Sequence, residues 1–366
     1  MNLSERAAAR CEALRAALAE RALDAAAIGP GPLAQWLLDR PLDWRGAPDL
    51  QPPDRLWLLP ANGPLAAFGS AEADAPAPRS DELRARLPRP RRLAVAGFHS
   101  AASLGGLRAA WPDADWTAGD DLADRLRAVK EPDEIASLRR VAELTDECLL
   151  SVVRELRPGL TMRDVELEIE FRGRRLGAEA VSFPPFCGFV HPPFGPSDGI
   201  TNVPGDWPLG SGTAVCFDVG FVVDGWCSDW GRSVHLGPAP AGTRDAYRAL
   251  CESVAEAVAG IRQGETRACD LYPSIERGLD RRGFGDDLRR RLGDSRVVGH
   301  SIGVEVHERP WLGPSSEEPL IPGMVLAIEP KLWRPGQYYL RLEEIVHVGE
   351  TAAECLTRFP HELFEL

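Results

Sequence analysis

The stretch from Phe217 to Gly231, Phe-Asp-Val-Gly-Phe-Val-Val-Asp-Gly-Trp-Cys-Ser-Asp-Trp-Gly, constrains this chain more than any other. At its centre Asp224-Gly225 interrupts an apolar run, and Asp-Gly is the pair selected by a two-residue type I′ turn, where both central residues take φ > 0. A hairpin folded there sets Asp218 opposite Gly231. Asp229, two residues before Gly231, then shares a face with Asp218. Such diagonal neighbours lie about 7–8 Å apart at the backbone and closer at the side chains. Ala214, Val215, Cys216, Phe217, Val219, Phe221, Val222 and Val223 are residues of core type. Two like charges in that setting are costly unless a cation sits between them. The plainer alternative is a pair of aspartates near a tight turn on a half-exposed strand.

With 366 residues, 44% of them hydrophobic, the chain is long enough for a large core and two domains. Its net charge of −13 opposes a phosphate-binding surface and sets nucleic acid aside as a partner. Charges from Glu5 to Asp24 break up the alanine-rich N-terminal stretch, so it has no apolar core of signal-peptide type, and no later run reaches the length of a membrane span. The eight cysteines show no Cys-x-x-Cys spacing and read as buried thiols of a reducing compartment. The expectation is a cytoplasmic protein with neither a nucleic-acid nor a membrane partner.

Leu3, Ala7, Cys11, Leu14 and Leu18 recur at helical spacing through residues 4–22. A strand at 25–28, a hairpin of 55–59 with 64–68 around Asn62-Gly63, a strand at 92–96, a helix at 101–110 and a strand at 115–117 follow. They make residues 1–122 a small α/β domain, with Pro-, Ala- and Asp-rich loops at 41–54 and 70–80. A helix begun at Asp120 breaks before Pro132, and a long one then runs to about Leu156, opening a second domain over 123–366.

That second domain contains an echo. Arg157-Pro-Gly159-Leu-Thr161 and Arg262-Gln-Gly264-Glu-Thr266 share the pattern Arg-x-Gly-x-Thr at an offset of 105 residues. In each copy a helix ends at the Gly, the Thr is placed to cap the next helix, that helix runs to Gly177 or Gly283, and strand-like segments follow. The echo reads as a duplication into two helix-helix-hairpin halves. General similarity among helix-loop-helix joints is the alternative.

Three further polar groups stand in apolar settings. Gly299-His-Ser-Ile-Gly-Val-Glu-Val-His307 sets two histidines seven residues apart among glycines, where side chains can approach a ligand closely, although a lone histidine is more often structural. Gly323-Met-Val-Leu-Ala-Ile-Glu329 is an apolar strand ending in a carboxylate, solvated if the strand end is exposed and a ligand if it is buried. From Gln337 to Val348 the residues alternate, with Arg341, Glu343 and His347 on one face and Leu340, Leu342, Val346 and Val348 on the other. Asp218, Asp229, Glu329, Glu343 and His300 together form an oxygen-rich set with one imidazole, suited to two divalent ions about 3.5–4 Å apart.

This set resembles that of the pita-bread metallopeptidases, the family of methionine aminopeptidase, aminopeptidase P, prolidase and creatinase. The spacing of eleven between Asp218 and Asp229, His300 in Gly-His-x-Ile-Gly, Glu329 in Glu-Pro and Glu343 in a late strand follow the family's ligand order. Arg341 in Arg-Leu-Glu and the segment Leu126-Arg-Ala-Val-Lys130-Glu-Pro-Asp-Glu-Ile135 look like its proline-specific branch. The resemblance implies an α+β fold: a C-terminal pita-bread domain of duplicated halves behind a smaller α/β creatinase-like N-terminal domain. It implies metal ligation by Asp218, Asp229, His300, Glu329 and Glu343, and hydrolysis of Xaa-Pro bonds, as dipeptidase or aminopeptidase, by a hydroxide bridging two metal ions. In that picture Glu329 assists the water, His307 steadies the oxyanion and Arg341 orders the ligand shell. Manganese leads cobalt, zinc and iron as the expected ion, and the expected partners are a short peptide substrate and a second copy in a homodimer.

The chain also departs from the family. A substrate-binding histidine usually stands about seventeen residues before the first aspartate, and Thr201 occupies that position; the nearest histidine is His191, 27 residues before Asp218. His191 is the candidate substitute, in a Pro- and Phe-rich loop at 183–196 whose phenylalanines suit a proline ring. The usual Asp-x-Thr-Arg reads Asp229-Trp-Gly-Arg232. These departures keep open a non-peptidase enzyme on the same fold, creatinase-like or a lyase acting on a small molecule, and, further off, a metal-stabilised binding protein.

Overall fold

The computed structural model describes residues 3–42, 44, 55–69, 79–97, 99, 101–190, 206 and 208–366. The chain divides into two compact units, Met1–Arg127 and Ala128–Leu366; the sequence reading drew the division at residues 122 and 123.

In the first unit a five-stranded sheet has the order Ala66–Phe68, Leu56–Pro60, Ala25–Ile28, Arg92–Ala96, Asp115–Ala118. Ala25–Ile28 is buried along its whole length, antiparallel to Leu56–Pro60 and parallel to Arg92–Ala96. Helix Glu5–Glu20, N-capped by the Ser4 hydroxyl, turns Ala7, Cys11, Leu14 and Leu18 inward. Two short helices escaped the sequence reading, Pro32–Leu38 and Ser80–Arg86. The first buries every residue from Leu33 to Leu38, so it has no polar face to give a helical period.

The second unit repeats one construction. Helices Pro132–Val153 and Met162–Leu176 precede strands Ala180–Val190, Thr213–Val223 and Trp230–Leu236, and helices Ala241–Ala259 and Leu271–Arg281 precede strands Gly299–Ser301, Val325–Ile328 and Glu344–Val348. Val141, Leu149, Val165 and Ile169 pack against Val215, Phe217, Val219 and Phe221 in one half. Leu250, Val254, Ile275 and Leu279 pack against Leu326, Ile328 and Val346 in the other. Thr161 caps its helix, its hydroxyl accepting from Asp164 N at 3.0 Å, and the helix ends on Gly177. Thr266 does not cap: its hydroxyl accepts from Arg262 N at 2.9 Å, and a short 3-10 turn, Ala268–Asp270, leads into the helix instead. A further helix, Gly285–Leu292, follows the second pair.

The hairpin at Asp224-Gly225 forms with φ of 50° and 79°, and Asp218 pairs with Gly231 in the expected register. Two other readings need correction. Residues 180–190, read partly as loop, form a strand on 214–222 whose register shifts on either side of Phe183; Pro184 and Pro185 cannot donate to the ladder, which fits the irregularity. His191 and Phe194 lie outside the described residues. The alternating stretch 337–348 is two strands, not one. Tyr338–Arg341 pairs with Lys331–Arg334, Glu344–Val348 pairs with Val325–Ile328, and between them Glu343 N donates to Gly231 O at 2.8 Å. The break removes His347 from the Arg341 and Glu343 face, and it pairs with Glu354 at 3.1 Å.

Candidate metal centre

Each acidic side chain is set by its strand. Asp218 stands mid-strand in Thr213–Val223, and Asp229 immediately precedes Trp230–Leu236, on the same face as the register requires. His300 belongs to Gly299–Ser301, antiparallel to Val325–Ile328, and Glu329 N donates to Val298 O at 2.8 Å, which holds the Glu329 backbone beside the His300 strand. Gly299 has φ of 153°, and a Cβ there would run into the Ala327 carbonyl, whose carbon lies 3.0 Å from that point. Glu343 occupies the break between two strands. Its backbone is gripped by the fully buried Arg232, which donates to the Glu343 carbonyl and pairs with Glu344 at 2.9 Å.

The five side chains converge. His300 Nε2 lies 3.4 Å from Asp229 Oδ2 and 3.8 Å from Glu329 Oε1. Asp218, Asp229 and Glu343 each offer an oxygen within 4.8 Å of the others, and Asp229, His300 and His307 each offer an atom within the same span. Asp229, His300 and Glu343 are buried. Burial, then the nearby Glu343 and Glu329, push the Asp229 carboxyl well above its ordinary range. Burial also pushes Glu343 upward, but Arg341, Lys331 and His300 outweigh it and leave its carboxyl lowered.

The donor set fits a divalent ion. Asp229 Oδ1, Glu343 Oε1 and His300 Nε2 are buried with no hydrogen-bond partner among the described residues, an expensive state for three polar atoms. His300 Nδ1 meets Ser301 O at 3.1 Å; the proton belongs on Nδ1, which turns a bare Nε2 lone pair toward carboxylate oxygens. Mixed imidazole and carboxylate donors suit Mn²⁺-, Co²⁺-, Fe²⁺- or Zn²⁺-like ions.

Two basic residues border the acidic set. Arg341 Nη2 donates to Glu343 Oε2 at 2.7 Å and to Glu329 Oε2 at 3.0 Å, and Nη1 pairs with Asp218. Lys331 pairs with Glu329. Sequence reasoning missed Lys331, although its place directly after Glu329-Pro330 and the Pro335-Gly336 turn that sets it opposite Arg341 were available as signals. Trp333 and Tyr339 lie on the same hairpin face and pack with Phe186, the strand partner of Asp218, and with Cys216.

His307 is exposed, its ring 4.5 Å from that of His300 and 5.5 Å from Trp311. Partial burial and then the neighbouring His300 lower its pKa, favouring the neutral imidazole. Behind this segment Lys130 Nζ reaches Glu308 Oε2 at 3.1 Å and Ser301 Oγ at 3.0 Å. Glu308 Oε1 accepts from Glu305 N at 3.2 Å.

A two-domain chain whose second unit is a duplicated helix-and-sheet body is a pita-bread protein. It superposes with a TM-score of 0.80 on a solved Xaa-Pro dipeptidase from Bacillus anthracis, at 22% identity, over 98% of this chain and 100% of that one. The model of metallopeptidase family M24 matches residues 136–350, and the chain belongs to that family. It is 29% identical over 240 residues to an uncharacterized peptidase of Staphylococcus saprophyticus, a match spanning 66% of this chain and 65% of that one. It is 28% identical over 260 residues to the putative dipeptidase YkvY of Bacillus subtilis, spanning 71% of this chain and 69% of the relative.

Proposed function

We propose that this protein hydrolyses Xaa-Pro peptide bonds, as a dipeptidase or aminopeptidase, with two divalent metal ions held by Asp218, Asp229, His300, Glu329 and Glu343. The observation that carries the reading is the gathering of Asp229, His300 and Glu343, each with a buried donor atom that has no hydrogen-bond partner among the described residues, beside Asp218 and Glu329. When bound, such ions acidify a water and polarise a carbonyl oxygen.

The chain's own groups supply the rest. Glu329 takes the proton from the attacking water and returns it to the leaving nitrogen, with Lys331 and Arg341 fixing its Oε2. His307, neutral and at the open side, donates to the carbonyl oxygen as negative charge develops there. Arg341 holds Asp218, Glu329 and Glu343 in one arrangement. Phe186, Trp333 and Tyr339 offer an apolar wall beside Asp218 that suits a proline ring, and His191 is the candidate contact for the rest of the substrate. The Xaa-Pro dipeptidase that shares the fold supports this choice of substrate class.

Manganese as the resident ion fits the excess of oxygen donors. Eight free cysteines fit a cytoplasmic location, and a homodimer is the commonest closed assembly for such a chain. The test is a screen of Mn²⁺-loaded protein against Xaa-Pro dipeptides, longer Xaa-Pro peptides and non-peptide amides. Turnover confined to the last group would replace the peptidase reading with the small-molecule one.

A further inference from the structure

We infer that Trp311 reads the residue before proline: its indole is the surface on which the Xaa side chain rests, so that large apolar residues at this position are preferred to glycine and alanine. The inference rests on the peptidase reading above and adds to it the choice of Xaa.

Trp311 closes the edge strand Glu308–Trp311, in which Glu308 and Pro310 are buried and Arg309 and Trp311 exposed. In the antiparallel register it stands directly opposite His300, and direct partners send their side chains to one face of a sheet. That face is the one on which His300 meets Asp229 and Glu329. The indole lies 5.4 Å from the His300 ring, edge to face at 67°, and 5.5 Å from the His307 ring at 32°. His307 stands 4.5 Å from His300 at 85°, so the three rings close a triangle. Contact with two imidazoles does not cover the indole, which remains 38% exposed. A large aromatic left partly uncovered beside a set of buried donor atoms is a surface for a ligand and not for the core.

The order of groups along an Xaa-Pro substrate decides which part of it meets this ring. The bond that breaks joins the Xaa carbonyl carbon to the proline nitrogen, so proline lies on one side of the attacked carbonyl and the Xaa α-carbon on the other. The proline wall of Phe186, Trp333 and Tyr339 is tied to Asp218 through the strand pairing of Phe186. Trp311 is tied to His300 in another sheet, beside His307, which in the peptidase reading donates to the Xaa carbonyl oxygen. The two apolar surfaces thus come to the donor set from different sheets, and the one next to His307 is left for Xaa. An indole offers a broad apolar face and no anion, so it takes a hydrocarbon or thioether side chain, while the α-ammonium of Xaa has the carboxylates of the cluster. Glycine has no side chain to place there, and a methyl group gains little, because selectivity in an apolar site grows by about tenfold or more with each methylene.

Full-length, Mn²⁺-loaded wild type, Trp311→Ala and Trp311→Phe would be compared by kcat/KM on Gly-Pro, Ala-Pro, Leu-Pro and Phe-Pro, with the Mn²⁺ content of each protein measured. Wild type should prefer Leu-Pro and Phe-Pro to Ala-Pro by about tenfold or more. Trp311→Ala should bring that ratio down to about threefold or less, mainly by raising KM for the large substrates. Trp311→Phe, which keeps a smaller ring beside His307, should give an intermediate ratio, and it decides the matter if Trp311→Ala does not fold. Equal losses on Ala-Pro and Phe-Pro, the result expected if the indole only props His307, overturn the inference. Loss of Mn²⁺ from the variants overturns it too, since Trp311 would then be a support of His300. Wild type that cleaves Xaa-Pro bonds without preference for Xaa overturns it while leaving the peptidase reading in place. Wild type that cleaves none of these substrates overturns both.

Discussion

The stem of Arg341 fills the space beside Gly231: a Cβ at position 231 would lie 2.6 Å from Arg341 Cδ and 2.9 Å from its Cγ. The glycine in Asp229-Trp-Gly231-Arg232 is thus the opening through which Arg341 reaches Asp218, Glu329 and Glu343. Gly231→Ala should shift Arg341 from these contacts, reduce turnover by about tenfold or more and cost about 1–3 kcal/mol of stability. Steady-state kinetics and thermal unfolding check it; wild-type values in both would mean that Arg341 adjusts freely.

Asp229 is shared by both groupings of donor atoms, so its loss should remove metal as well as activity. Asp229→Ala is expected to stay folded and to lose most bound Mn²⁺ together with turnover. Elemental analysis of the purified variant decides it, and a fully active variant would remove Asp229 from the site.

The raised Asp229 pKa gives a pH signature in chelator-stripped protein. A carboxyl whose folded pKa exceeds its unfolded value stabilises the native state below the unfolded value, and that contribution is lost as pH rises through the folded one. Glu343 is lowered, so its contribution is lost only as pH falls below its ordinary 4.5. As pH rises above the ordinary carboxylate range, stripped wild type should therefore lose stability relative to Asp229→Asn, and Mn²⁺ should raise Tm more at higher pH. Parallel stability curves for the two stripped proteins would refute the assignment.

Much of this site could be read from the chain because its logic is local. Asp224-Gly225 sets the register of its own hairpin, and that register alone puts Asp218 and Asp229 on one face. The alternation at 337–348 correctly separates Glu343 from Glu344, yet it conceals the break at Leu342-Glu343, because that break is made by pairing with Gly231, which is distant in sequence. Lys331 is set by a local hairpin opposite Arg341, but its role depends on both residues meeting Glu329 and not on that turn alone. Thr266 shows the opposite failure, since a motif that shares the Arg-x-Gly-x-Thr pattern of Thr161 lies in a joint whose backbone turns once more before the helix begins.

Lys130 illustrates a residue whose value lies in another's position. Its ammonium and the Glu308 carboxylate are almost fully buried, at 1% and 4% side-chain exposure, and Glu308 also accepts from Glu305 N within the segment that carries His307. Lys130→Met should destabilise the protein by about 3–5 kcal/mol, because it strands a buried carboxylate, and Lys130→Met with Glu308→Leu should cost less than the single change. Denaturant unfolding of the three proteins checks it, the pair being additive if the two side chains are independent.

His307 separates binding from chemistry. Its ring stands 4.5 Å from that of His300 on the exposed side, while Asp218, Glu329 and Glu343 meet without it. If its task is to donate to the developing oxyanion, His307→Ala should lower kcat for an Xaa-Pro substrate by about 10²-fold or more and leave KM and Mn²⁺ content near wild type. If it is instead a ligand, as its reach to Asp229 and His300 permits, metal should leave with activity. His307→Gln distinguishes the two further, since an amide keeps a donor: partial recovery of kcat at full Mn²⁺ content supports the oxyanion role, and metal loss in both variants excludes it.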